Sequence, residues 1–129
     1  MFPSPNKSDA GSSIVGFVLV TPLVILMFIA IGQIAMIIGD KAVINSAAVI
    51  GARTASAADA SLNSGKKAAR NVLASKGSMF NSADVLVARE VVQGVRVVRV
   101  TVIQKVEISF VKKVFTLRAT ARAIDERSL

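Results

Sequence analysis

The chain has 129 residues, 53% apolar side chains, a mean hydropathy of +0.60, and 16 Lys and Arg against 8 Asp and Glu, for a net charge of +8. That length allows one small domain, and the hydropathy is above that of an ordinary soluble domain or a disordered tail. The sequence has no Cys or His, which removes imidazole bases, thiolate nucleophiles, disulfides, and the soft-ligand sites of zinc, haem and iron–sulfur clusters.

Residues Met1 to Ala10 are polar and contain Pro3 and Pro5, so residues 1–11 read as a short unstructured leader. From Ser12 to Gly39 no side chain is charged, and Ile14 to Ile38 is mostly Ile, Val, Leu, Phe, Met and Ala. About 20 apolar residues at about 1.5 Å rise each cross the hydrocarbon of a bilayer, so residues 12–39 are expected to form a transmembrane helix with length to spare. The core of a cleavable secretory signal is shorter, about 7 to 15 residues after a basic start, which favours a retained anchor. Pro22 removes a backbone donor inside this helix and is expected to bend it, with Thr21 placed to help satisfy the freed carbonyl. Lys7 and Asp9 on one side face Asp40, Lys41 and Arg53 on the other, and this balance leaves the orientation open.

Residues 40–62 contain no Pro and many Ala, and read as a continuation of the helix. Ala47, Gly51, Ala55 and Ala58 fall on one stripe, either for close approach of a helix or sheet or through Ala-rich helix propensity alone. Residues 63–83 read as a short helix and linker, with Ser64 capping a helix from Lys66 to Lys76 that stops at Gly77.

From Asp84 the period changes to two and Val and Ile replace Ala, so residues 84–129 read as a sheet. Three strands are predicted: Asp84 to Val92, Val95 to Phe110 and Val114 to Ile124. A two-residue loop at Gln93-Gly94 sets Val92 opposite Val95, and Val85 and Val87 opposite Val102 and Val100. A second turn at Val111 to Val114 sets Phe110 opposite Phe115, Ile108 opposite Leu117 and Val106 opposite Ala119. That register also places Glu107 opposite Arg118 and Arg99 opposite Glu126. The fold class is therefore α+β: one N-terminal transmembrane helix, extended into a long helix and packed on a small three-stranded antiparallel sheet. So small a sheet needs the emerging helix or a partner chain to cover its apolar face.

The segment Gly11-Ser-Ser-Ile-Val-Gly-Phe-Val-Leu-Val-Thr-Pro22 resembles the start of TadE-like proteins, the pseudopilin-type accessory proteins of tight-adherence (Flp, type IVb) pilus systems. In that family a Gly precedes the cut of a prepilin peptidase, followed by small residues, a Glu, an aromatic residue and a helix-interrupting Pro. Gly11, Ser12, Ser13, Phe17 and Pro22 occupy matching places. Asn45 to Arg53 likewise resembles the family's small-residue helix ending in Gly-Ala-Arg. The resemblance implies cleavage between Gly11 and Ser12. Gly16 stands where the family commonly has Glu. A carboxylate near the bilayer centre costs about 2.5 to 3.5 kcal/mol and so favours leaving lipid for a paired amine. Gly16 removes that drive, and the resemblance supports membrane insertion and processing more than incorporation along a filament.

The net positive charge lies beyond Asp59. Arg99, Lys105, Arg118 and Arg122 share the polar face of the predicted sheet, a field that attracts anionic surfaces. No aromatic residue is interleaved with them, so nucleic acid is not an expected partner. No catalytic residues are expected: the only adjacent carboxylates, Asp125 and Glu126, point to opposite faces of a strand, and no phosphate loop or nucleophile elbow occurs. No metal or cofactor is expected. The first functional expectation is a single-pass structural component of a bacterial pilus-assembly machine with its C-terminal domain outside the membrane. Its partners would be prepilin peptidase, membrane lipid, and other pilin, pseudopilin or assembly subunits. The second is an unprocessed envelope protein whose basic domain binds an anionic polymer or lipid surface.

Overall fold

The computed structural model describes residues 7–57, 59–108 and 112–128. Its elements in chain order are α1 (Lys7–Ser56), α2 (Leu62–Lys76), a 3-10 turn (Ser78–Ser82), β1 (Asp84–Val92), β2 (Val95–Ile108), β3 (Lys113–Ile124) and a second 3-10 turn (Glu126–Ser128). This is the expected α+β class with a long apolar N-terminal helix and a three-stranded antiparallel meander, β1-β2-β3. The chain divides into two compact units, Met1–Met36 and Ile37–Leu129.

The first unit is helical from Lys7, inside the segment expected to be unstructured. Once past Pro5 no residue forbids a helix. Ile14, Phe17, Leu19, Leu23, Phe28 and Ile31 are all exposed. Burying such a side chain is worth about 1.5 to 3 kcal/mol, and a helix apolar all round belongs in a protein core or a membrane. The helix is long and apolar enough to cross a membrane. It runs through Pro22 as one element. The Thr21 hydroxyl donates to the Phe17 carbonyl at 2.6 Å, whereas the carbonyl that Pro22 leaves without its helical donor is that of Val18, four residues back. Thr21 therefore reinforces the carbonyl one residue before the one it was expected to satisfy.

In the second unit the last turns of α1 and the whole of α2 cover one face of the sheet. Ile44, Ala47, Ala48, Ala52 and Ala55 of α1 join Ala69 and Leu73 of α2 and Val85, Val98, Val100, Val102 and Ala119 of the strands in one buried cluster. The small-residue stripe is what permits this approach. A Cβ added at Gly65 would stand 2.4 Å from the Ala55 Cβ and 2.7 Å from the Gly51 carbonyl oxygen, and one added at Gly51 would stand 3.0 Å from the Ala69 Cβ. Ala58 lies outside the described residues.

Two helix boundaries differ from expectation. α1 ends at Ser56, not Leu62; there the buried Ser56 hydroxyl turns back to the Arg53 carbonyl at 2.9 Å, a side-chain bond that competes with helix continuation. α2 is capped by Ser61, not Ser64: the Ser61 Oγ accepts the Ser64 N–H at 3.2 Å, so the helix starts at Leu62. Gly77, at φ 136°, ends it as expected.

The first hairpin has the predicted register, with Val92 paired to Val95, Val87 to Val100 and Val85 to Val102. Gln93 and Gly94 both adopt positive φ, 51° and 81°, the mirror-image turn whose twist suits a two-residue hairpin. The second hairpin is displaced by four residues from expectation: Ile108 pairs with Lys113, Val106 with Phe115 and Val102 with Ala119. Glu107 therefore faces Val114 instead of Arg118, and Arg99 faces Arg122 instead of Glu126. The expected Phe110–Phe115 pair cannot form, because Phe115 is taken by Val106; Phe110 itself lies outside the described residues. An even displacement preserves the side-chain faces, so the inner face remains apolar and the outer face basic. Polar side chains also ride on the inner face, Gln104 on β2 and Arg89 on β1 opposite Val98. The Gln104 amide donates to the Met79 and Lys105 carbonyls at 3.1 and 3.0 Å, while its own buried Oε1 accepts from no group among the described residues.

Candidate functional site

The residues expected to form a processing motif lie on the first unit. Gly11 and Ser12 are exposed within α1, and nothing stands within 4 Å of a Cβ placed on Gly11 or Gly16. Phe17 is 72% exposed, and Pro22 lies one residue after the Thr21 hydroxyl bond. Gly11, Ser12, Gly16, Phe17 and Pro22 thus follow one another along a single uncovered helix.

The outer face of the sheet forms the other region. Arg99, Lys105, Arg118 and Arg122 all fall on this face, because β2 pairs Arg99 with Arg122, Ile103 with Arg118 and Lys105 with Thr116. A depression of about 480 Å³ opens there, with Leu86, Thr101, Ile103 and Thr120 lining it beside the three arginines; Lys105 lies outside its lining. The Thr101 and Thr120 hydroxyl oxygens face each other at 3.4 Å.

Glu90, on β1, is a member of this face that the sequence reading missed. Its Oε1 accepts from Arg122 Nε at 2.7 Å and its Oε2 lies 3.2 Å from Arg99 Nη1. The Arg122 hydrogen bond, aided by the charge of Arg99, holds the Glu90 carboxyl below the ordinary carboxylate value against a smaller opposing effect of desolvation. A signal was present: the first hairpin's register sets Ala88 opposite Arg99 and puts Glu90 on the same face, diagonal to that arginine. Arg118 is exposed and makes no ion pair among the described residues.

The other acidic anchor closes the chain end. Asp125, only 2% exposed, takes Arg89 Nε at 3.2 Å and the Arg127 backbone N–H at 3.1 Å. Arg127 also donates to the Ala60 carbonyl at 2.7 Å, tying the last turn to the α1–α2 connection. These contacts hold the last 3-10 turn and leave the outer face open.

No curated protein and no solved structure matches the chain. A protein-family model described as TadE-like protein matches residues 11–53, from the glycine of the processing motif to the arginine that ends the Gly-Ala-Arg step. The match thus covers both the exposed apolar helix and the turns of α1 that cover the sheet. Over residues 11–53, which lie within α1, the chain is similar to TadE-like proteins.

Proposed function

We propose that the chain is a membrane-anchored, pseudopilin-like structural component in the assembly of a tight-adherence pilus or related secretion machine. The observation that carries this reading is the coincidence of the family match, beginning at Gly11, with a helix whose apolar side chains are exposed all round. In this reading prepilin peptidase cuts between Gly11 and Ser12, lipid surrounds the stretch from Ile14 to Ile38, and the sheet domain stands on the extracytoplasmic side. The small, helix-covered sheet would serve as a contact module for neighbouring pilus or assembly subunits. With Gly16 at the position of the family's usual Glu, the helix lacks the carboxylate that would drive it from lipid toward a neighbour's new amino group. The role is therefore one at the assembly machine in the membrane, not of a subunit repeated along the shaft.

Intact-mass measurement on protein recovered from its own membrane tests the reading. A mature chain beginning at Ser12 is expected. A chain retaining Met1 to Gly11 in cells with an active prepilin peptidase would overturn the processing step and, with it, the pseudopilin role.

A further inference from the structure

The depression on the outer sheet face is used by neither the anchor nor the processing motif. Its chemistry is already half displayed by the chain itself. One carboxylate, Glu90, is gripped by Arg99 and Arg122, while Arg118, four residues before Arg122 on the same face of β3, is exposed with no ion pair among the described residues. Arginine's planar fork suits a carboxylate held in two places, so Arg118 repeats a recognition element that holds no carboxylate among the described residues. Apolar surface adjoins it: Leu86 is 59% exposed, and Ile103 lies directly opposite Arg118.

We propose that this depression docks an acidic segment of a partner protein, with one Glu or Asp carboxylate on Arg118 and an apolar neighbour of that carboxylate laid against Leu86 and Ile103. Charge selects an acidic occupant, and it disfavours a second copy of this chain, which would bring its own +8. Size and polarity select a peptide. A space of about 480 Å³ is in the range of sites that hold molecules larger than a single oxyanion, and the apolar residues beside the arginines give a bare phosphate nothing to contact. No aromatic side chain lines it for stacking a base. The inference stands independently of the pilus reading, because it uses only the sheet.

The test uses the full chain in non-ionic detergent micelles and a fluorescent peptide of alternating Glu and Leu, with its Gln–Leu counterpart as control. Saturable binding of the Glu peptide is expected, weakened about tenfold by Arg118→Gln, the loss of one charge-assisted pair. Leu86→Ser, at an exposed position, is expected to weaken binding several-fold, whereas Lys66→Gln, which removes the same charge from α2, should change it less than about twofold. Four results would each overturn the proposal: no saturable binding, equal losses for Arg118→Gln and Lys66→Gln, equal binding of the Gln peptide, or displacement of the peptide by millimolar inorganic phosphate. Displacement by phosphatidylglycerol vesicles would do the same and reassign the face to a lipid surface. Because these readouts do not involve residues 1–11, failure here leaves the processing experiment untouched.

Discussion

Gly65→Ala places a methyl group where the α1–α2 crossing leaves no space. The new Cβ would stand 2.4 Å from the Ala55 Cβ, 2.7 Å from the Gly51 carbonyl oxygen and 3.3 Å from the Ala55 Cα. Carbon atoms pack at about 3.5 to 4.0 Å, so the first contact demands more than about 1 Å of separation. Two of the obstructing atoms are backbone and the third is a Cβ, so no side-chain rotation supplies the room. Overpacking of this kind costs about 1 to 3 kcal/mol, while replacing Gly by Ala in a helix returns about 0.5 to 1 kcal/mol. The net expectation is a loss centred on about 1 kcal/mol and reaching about 2.5 kcal/mol, from a domain whose whole stability is on the order of 5 to 10 kcal/mol. Gly39→Ala is the control, because nothing lies within 4 Å of its added Cβ and it receives the helix gain alone. Urea unfolding of the full chain in micelles, followed by amide protection of β2, reads both effects. Equal or greater stability of Gly65→Ala would show that the two helices do not cross at this glycine.

Two further predictions concern the sheet. Glu90 has a lowered folded-state value, so its contribution is present above about pH 4.5 and is lost as pH falls through the folded value; Glu90→Gln should flatten the acid limb of the urea midpoint between pH 6 and 3, and an unchanged acid limb would refute the shared Arg99–Arg122 pairing. Val106→Cys with Phe115→Cys should crosslink under mild oxidation, whereas Ile108→Cys with Leu117→Cys should not, since only the first two residues are cross-strand partners; the reverse result would restore the register with Phe110 opposite Phe115.

What the sequence disclosed follows from which features are encoded locally. Gln93-Gly94 fixes a hairpin because few residue pairs accept two successive positive φ angles, and the whole β1–β2 register follows from that one step. The second turn carries no such mark. Lys112 adopts a φ of 49° although no Gly or Asn stands there, so the sequence offered several equivalent pairings. Val and Ala alternation constrained those pairings only modulo two, and so the faces survived a displacement that broke the predicted ion pairs.

The same division applies to the helices and to the two candidate sites. The apolar run is readable from composition because a segment that crosses a bilayer must be apolar over its full length, but the ends of α1 and α2 depended on which of several serines turned its hydroxyl to the backbone. Arg99, Lys105, Arg118 and Arg122 could be assigned to one face by parity. The role of Glu90 needed the three strands side by side, since Arg99 and Arg122 reach it from β2 and β3.

In the proposed function α1 holds the chain in lipid with the sheet domain outside. The native sequence has no cysteine, so a single introduced thiol reports one position. Leu26→Cys and Lys66→Cys are treated in intact cells with a membrane-impermeant maleimide. Labelling is expected at position 66, and none at position 26 until the membrane is dissolved in denaturant. Equal labelling of the two positions in intact cells would contradict the claim.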